Sequence, residues 1–158
     1  MPHKTWSRRW PSPRLNTRRL TLTTVSDEAT ALEAVNGVLE RLVSLLRSRD
    51  LAGILQLFAE DAILFGSEAQ EIACGTSQLE MFFESILSQP MTILWTWELL
   101  FARQSGNTIW FVGPATLRVL GDARGEQTYP YRLSGVLTRQ PHEEWVFAMF
   151  NGSEPAQR

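Results

Sequence analysis

The chain has 158 residues, 44% of them apolar and 20% charged, with a formal net charge of −2. That is the size and make-up of one globular domain with a sizeable core. The near balance of charge gives no global pull toward nucleic acid or an anionic membrane. No run of eighteen apolar residues and no secretory h-region is present, which argues against a membrane span or an export signal and for a cytoplasmic location.

The balance hides an asymmetry. Residues 1–23 carry Lys4, Arg8, Arg9, Arg14, Arg18 and Arg19 and no acid, so the remaining nine basic and 17 acidic residues leave −8 elsewhere. Residues 1–24, with Pro2, Pro11 and Pro13 and no helical periodicity, read as a disordered basic leader. A transit peptide would share the charge, but Pro11 and Pro13 interrupt any amphipathic helix. A nucleic-acid arm is the other alternative. Residues 25–155 form the domain, and residues 156–158 a tail.

Ser26 is a good helix N-cap, with Asp27 and Glu28 in a first turn where the helix dipole favours anions. Leu32, Val35, Leu39, Leu42 and Leu46 then recur at spacings of three and four, which predicts a helix to about Arg49. Gly37 costs that helix about 1 kcal/mol relative to alanine, so a close packing contact is expected there. Asp50 caps a second, short helix carrying Leu51, Ile54, Leu55 and Phe58. Residues 62–65 read as a strand ended by Gly66, and residues 67–75 as a polar loop. Cys74 in that loop reads as a small, half-buried residue rather than a nucleophile; alone, it permits neither an internal disulfide nor a Cys-rich zinc site. Thr76 or Ser77 caps a third helix with Leu79, Phe82, Phe83, Ile86 and Leu87 on one side, stopped by Pro90.

The second half changes period. Residues 92–103, 107–120, 127–140 and 144–153 are rich in β-branched and aromatic residues, with turn clusters between them. Short connections between long strands imply antiparallel hairpins. The order predicts an α+β domain with a curved sheet wrapped against helices. In residues 92–103 both faces are apolar: Ile93, Trp95, Trp97, Leu99 and Phe101 on one, Leu94, Leu100 and Ala102 on the other. A sheet with one wet face should alternate cleanly. The second face therefore predicts a sheet-to-sheet homodimer.

Four segments resemble a known superfamily. They are Arg49-Asp50-Leu51 through Phe58-Ala59-Glu60-Asp61-Ala62; Gly75 opening the third helix; Arg132-Leu133-Ser134 before Val136-Leu137; and Trp145 through Asn151-Gly152-Ser153-Glu154-Pro155. Their order and spacing resemble the SnoaL-like branch of the nuclear transport factor 2-like superfamily, and the association domain of calcium/calmodulin-dependent kinase II. The resemblance implies a cone-shaped, cystatin-like α+β roll, with a bent antiparallel or mixed sheet, three helices, a pocket between them and frequent dimers. It also spans ketosteroid isomerases, dehydratases, epoxide hydrolases, polyketide cyclases and non-enzymatic assembly domains, so fold does not settle function. One departure is that Asn151 stands where the family has histidine, which removes the most obvious proton-transfer group. Another is that Ser134 replaces a usual threonine.

Arg132, inside a predicted strand, is the first candidate for chemistry; its planar fork suits a carboxylate or phosphate, and a structural ion pair with Glu98 is the alternative. Asn151 and Ser153 share a predicted face with Trp145, Phe147 and Met149. With Ser134 and Trp97 they are candidates to line the pocket, or else they satisfy one another. Glu98 is the only carboxylate in the middle of a predicted long strand and would, if buried, serve as a base. Tyr131 or Asn151 would then stabilise an enolate. Asp61 reads as a turn or capping residue. His3 and His142 lie in the leader and a turn, away from any cavity. No metal-ligand spacing, phosphate loop or dinucleotide fingerprint occurs, so neither metal nor cofactor is expected.

The reading that results is a dimeric domain that binds a small apolar or acidic molecule, with Arg132, Asn151 and Ser153 setting its orientation. The alternatives are an isomerase- or cyclase-type enzyme using Glu98 and Tyr131, and an assembly module acting through the outer sheet face. No nucleic-acid or membrane partner is expected.

Overall fold

The structure is a computed structural model that describes residues 24–121 and 125–155. Residues 1–23 of the basic leader, and the tail, lie outside them. The elements run α1 (Thr24–Ser48), α2 (Leu51–Leu55), β1 (Phe58–Phe65), β2 (Ile72–Cys74), α3 (Gly75–Leu87), β3 (Thr92–Thr96), β4 (Phe101–Ser105), β5 (Thr108–Leu120), β6 (Gln127–Arg139) and β7 (Trp145–Ser153). Among the described residues, α1 and α3 pack on one seven-stranded sheet ordered β2-β1-β7-β6-β5-β3, with β4 also paired to β5, and α2 packs against both helices. Among the described residues only β1 and β7 run parallel; the other pairs are antiparallel. This is the α+β class that the order of helices and strands predicts, and the mixed roll that the family resemblance implies.

Helix α1 buries Ala31, Val35, Leu39, Leu42 and Leu46 completely or nearly so. Each of its larger apolar side chains contributes about 1.5–3 kcal/mol by leaving water. Gly37 does not mark the expected packing contact. It is exposed, and a Cβ there would meet nothing within 4 Å; two residues from Val35 and from Leu39, it falls on the opposite face of the helix. Asp50 caps α2 as expected, its Oδ1 accepting the Gly53 N–H at 2.9 Å. Helix α3 starts earlier than predicted, at Gly75, whose φ of +74° suits glycine. Its N-cap is Cys74, which is exposed rather than half-buried.

Two departures from regular pairing decide where the later side chains point. The expected single strand over residues 92–103 is broken. Thr96 pairs with Thr116 and Phe101 with Val112, so four residues, 97–100, face three, 113–115. Gly113-Pro114 gives the cause. A Cβ on Gly113 would lie 2.4 Å from the Leu99 carbonyl oxygen, and Pro114 has no N–H to donate to a neighbour. The second departure is in β7. Met149 pairs with Val136 but Phe147 with Leu137, which leaves Ala148 as an extra residue. Phe147 and Phe150 both turn inward, at 0% and 3% exposure.

The core runs as a chain of rings beneath the sheet. Phe58 meets Phe83 and Phe147 at centroid distances of 5.4 and 5.0 Å, Phe147 meets Phe150 at 5.1 Å, and Phe150 meets Trp95 edge-on at 5.6 Å. Such tilted pairs suit the ring quadrupoles. Across from them, Arg103 pairs with Glu28 and ties β4 to α1.

Candidate functional site

The chain of rings ends at a cavity of about 100 Å³ between α3 and the inner side of the sheet. Phe82, Phe83 and Ile86 of α3 form one wall, with Trp95, Leu117 and Phe150 on the sheet side. The polar groups at it are few: Ser67 and Glu71 from the loop after β1, Tyr131 of β6, and Trp95. A mainly aromatic and aliphatic hollow with a few convergent polar groups is the usual form of a small-molecule site.

Tyr131 is 6% exposed, on the inner face of β6 with Leu133 and Leu137. Gly152 makes room for it, since a Cβ there would lie 2.7 Å from Tyr131 Cε1. Burial pushes the phenol above the ordinary tyrosine range. The Ser67 hydroxyl, hydrogen-bonded to it, offsets part of that rise, and the negative charges of Glu71 and Glu154 add to it. Tyr131 is therefore a neutral donor at physiological pH, and the charges around it are negative.

Trp95 stands beside Tyr131, ring centroids 6.4 Å apart. It shares its face of β3 with Ile93 and pairs with Leu117, and both of these line the cavity too. Its Nε1–H is buried and has no hydrogen-bond acceptor, alone in this among the buried side-chain polar atoms of the described residues. Leaving such a donor unpaired costs about 1–3 kcal/mol, so it calls for an explanation.

Two of the larger hollows, of 300 and 360 Å³, are open grooves on the surface. Trp97 borders both, Glu98 the first and Trp95 the second. Trp97 is half-buried and donates from Nε1 to Asn36 Oδ1 of α1 at 2.8 Å. Glu98 is exposed in the break between β3 and β4, not in mid-strand, and does not line the cavity that holds Tyr131. The expected pairing of base and enolate donor is therefore not assembled.

The remaining candidates take the outer face of the sheet. Arg132 is exposed there between Pro114 and Ser153, its register partners. It neither enters the cavity nor pairs with Glu98 among the ion pairs of the described residues. Asn151 Nδ2 donates to Ser134 Oγ at 3.1 Å across β7 and β6, so these two satisfy each other. Met149 and Ser153 share that outer face with them. The bulge at Ala148 explains the error: strict alternation puts Phe147, Met149, Asn151 and Ser153 together, whereas one extra residue sends Phe147 inward and leaves the others outside. Of the residues singled out from the sequence, the cavity receives Tyr131 alone. Trp95 was visible as a strand aromatic, but nothing in the sequence distinguished it from core, and Ser67 and Glu71 lay in a loop without a motif.

Among the described residues no group of three or more His, Cys, Asp or Glu side chains is placed to hold a metal ion. No helix among them is long and apolar enough to cross a membrane.

A family profile for the SnoaL-like domain matches residues 35–157, and the chain belongs to that family. No curated protein matches the sequence. Solved structures of the same fold include one assigned as a calcium/calmodulin-dependent protein kinase II association domain from Xanthomonas campestris. It is 16% identical, with TM-score 0.65, covering 78% of this chain and 87% of that one. A protein of unknown function with a cystatin-like fold from Nostoc punctiforme is 14% identical, with TM-score 0.65 and coverages of 82% and 94%. A ketosteroid isomerase-like protein from Erwinia carotovora is 13% identical, with TM-score 0.64 and coverages of 80% and 97%. At these identities the likeness is one of fold.

Proposed function

We propose that this SnoaL-like domain binds a small, mainly apolar molecule in the cavity between α3 and the sheet. The observation that carries the reading is the composition of that hollow: aromatic and aliphatic walls, with a buried phenol on one strand, a buried indole on another, and Ser67 and Glu71 from the loop after β1. The acidic ligand expected from Arg132 finds no support, because the guanidinium lies on the outer face and the charges acting on Tyr131 are those of Glu71 and Glu154. Native mass spectrometry of the purified protein, followed by thermal-shift screening of small apolar compounds, tests the proposal. Ile86→Trp fills the hollow from α3 and is expected to abolish every hit while the far-UV spectrum is kept. Hits that survive Ile86→Trp would place binding elsewhere and end the reading.

A second reading, compatible with the first, is self-association through the outer sheet face. Ile72, Phe65, Val112 and Phe101 lie in one register row across the sheet, at 42–53% exposure, with the closed Asn151–Ser134 pair in the middle. The occupant that suits this row is the same row of a second copy. Its flanks are apolar, and the Asn151 amide and Ser134 hydroxyl at its centre keep donors and acceptors that a two-fold copy of the same groups can meet. The relative assigned as an association domain points the same way. Light scattering on Val112→Glu is expected to give a monomer from a wild-type dimer. A monomeric wild type, or an unaffected dimer in the variant, would remove this reading.

A further inference from the structure

We propose that residues 66–71, the loop between β1 and β2, form a lid over the cavity between α3 and the sheet. The loop lifts as one piece, and the ligand enters and leaves beneath it. The inference rests on the cavity reading above and names what controls access to that site, although the motion itself is measurable with no ligand present.

The walls of the cavity differ in how firmly they are held. Phe82, Phe83 and Ile86 sit on α3, whose last turn is tied to Arg49. Trp95, Leu117, Tyr131 and Phe150 sit on strands paired in register. Moving any of these disturbs a helix or a ladder. Gly66, Ser67 and Glu71 line the same cavity from a loop. Residues 67–70 are exposed, and among the described residues no backbone hydrogen bond or ion pair ties the loop to another element. Such a segment opens at the least cost. The loop also holds its own shape. Gly66 N–H donates to the Glu71 carbonyl at 2.7 Å, Glu71 N–H to the Glu68 carbonyl at 3.0 Å, and Glu68 N–H to Glu71 Oε2 at 3.0 Å. The Glu71 carboxylate folds back over Gly66, where it leaves no room for a Cβ. These bonds close on the loop itself, so they survive its lifting, and the loop moves as a unit instead of fraying. What holds it down is the bond between the Ser67 hydroxyl and the buried Tyr131 phenol. Lifting the loop breaks that bond and lets water reach Tyr131. One neutral hydrogen bond changes an equilibrium about fivefold, which sets the size of the effect expected when the latch is removed.

Relaxation dispersion on ¹⁵N-labelled, methyl-labelled protein reads the motion, and furan, a flat ring smaller than benzene, reads the traffic. In wild type without probe, the amides of residues 66–71 are expected to fit one exchange rate, shared with the Tyr131 amide, while that of Leu64 in β1 stays flat. Ser67→Ala is expected to raise the open population about fivefold, the worth of the latch. Ser67 is exposed, so this variant keeps the fold. Tyr131→Phe should do the same, and the two changes together no more than either alone. Ser67→Thr keeps the hydroxyl and should stay at wild type. Glu71→Ala removes the internal brace and should split the shared rate into several. In furan titrations followed at the Ile86 and Leu117 methyls, Ser67→Ala is expected to raise the on-rate and the off-rate together by about fivefold with Kd unchanged, because the lid closes again over the probe. A serine that only supported the fold would not move both rates equally. Flat dispersion across the loop in wild type and in Ser67→Ala would overturn the inference. Furan that shifts the methyls at rates unchanged by Ser67→Ala would overturn it too, and leave the cavity reading standing. Unmoved methyls beside an exchange process shared by the whole loop would support the lid and count against the cavity reading.

Discussion

Arg49 offers a quantitative test of how the fold holds the cavity wall in place. Its backbone is left-handed, with φ of +58°, and it ends α1. Its guanidinium reaches the far end of α3, donating from Nη1 to the carbonyls of Leu87 and Gln89 and from Nη2 to those of Pro90 and Met91. The last carbonyls of a helix have no partner within it, and a cation there also meets the negative end of the helix dipole. The four acceptors include two close contacts and two at 3.4 Å, and the side chain is exposed. Counting the two close bonds at about 1 kcal/mol each, with solvent discounting the rest, puts the brace at about 2 kcal/mol. In a chain of this length that is about 4–8 °C in melting temperature. Arg49→Ala should lose all of it. Arg49→Gly loses the same bonds but relieves the left-handed backbone, worth about 1 kcal/mol, and should fall between wild type and alanine. Arg49→Lys keeps the charge but not the fork, and should retain less than half. Urea unfolding of the four proteins checks the order. If alanine lies within about 0.5 kcal/mol of wild type, or glycine below alanine, the brace is not what the geometry implies.

Tyr131 gives a pH prediction. Its folded pKa is raised, so its contribution to stability is fully present below the unfolded tyrosine value of about 10 and is lost as pH rises toward the folded one. The melting temperature of wild type should therefore fall more steeply than that of Tyr131→Phe between pH 9 and 11; parallel curves would contradict the assigned burial. Gly152→Ala places a methyl 2.7 Å from the Tyr131 ring and should cost about 1–3 kcal/mol in urea unfolding by overpacking. Combining it with Tyr131→Ala, which removes the ring, should erase most of the added cost of the methyl, and an additive double mutant would show that the two do not touch.

The helices were legible in the sequence because each carries its own signal. In α1 Val35, Leu39, Leu42 and Leu46 repeat at the helical period, and all four are buried; Asp50 announces its cap, and Asn107 and Gly121 mark real strand ends near β5. Strand content, antiparallel pairing in the second half and the α+β class followed from period and turn residues, which are local properties. What the sequence left open was which side of each late strand faces the helices. A strand alternates every residue, so a single insertion in one strand inverts every side chain beyond it. Ala148 does this in β7, and the 97–100 break does it between β3 and β4. Neither is determined by propensity. The bulge exists because Phe147 and Phe150 both fill the core, and the break because Gly113-Pro114 comes to lie under Leu99 and Leu100. Those are meetings between distant segments. The bulge puts Asn151, Ser153 and Met149 outside with Phe147 inside, and Ser153 and Asn151 pair there with Arg132 and Ser134 of the regularly alternating β6, whose inner face carries Tyr131; that is why the elements could be read from the chain and the site only from its packing.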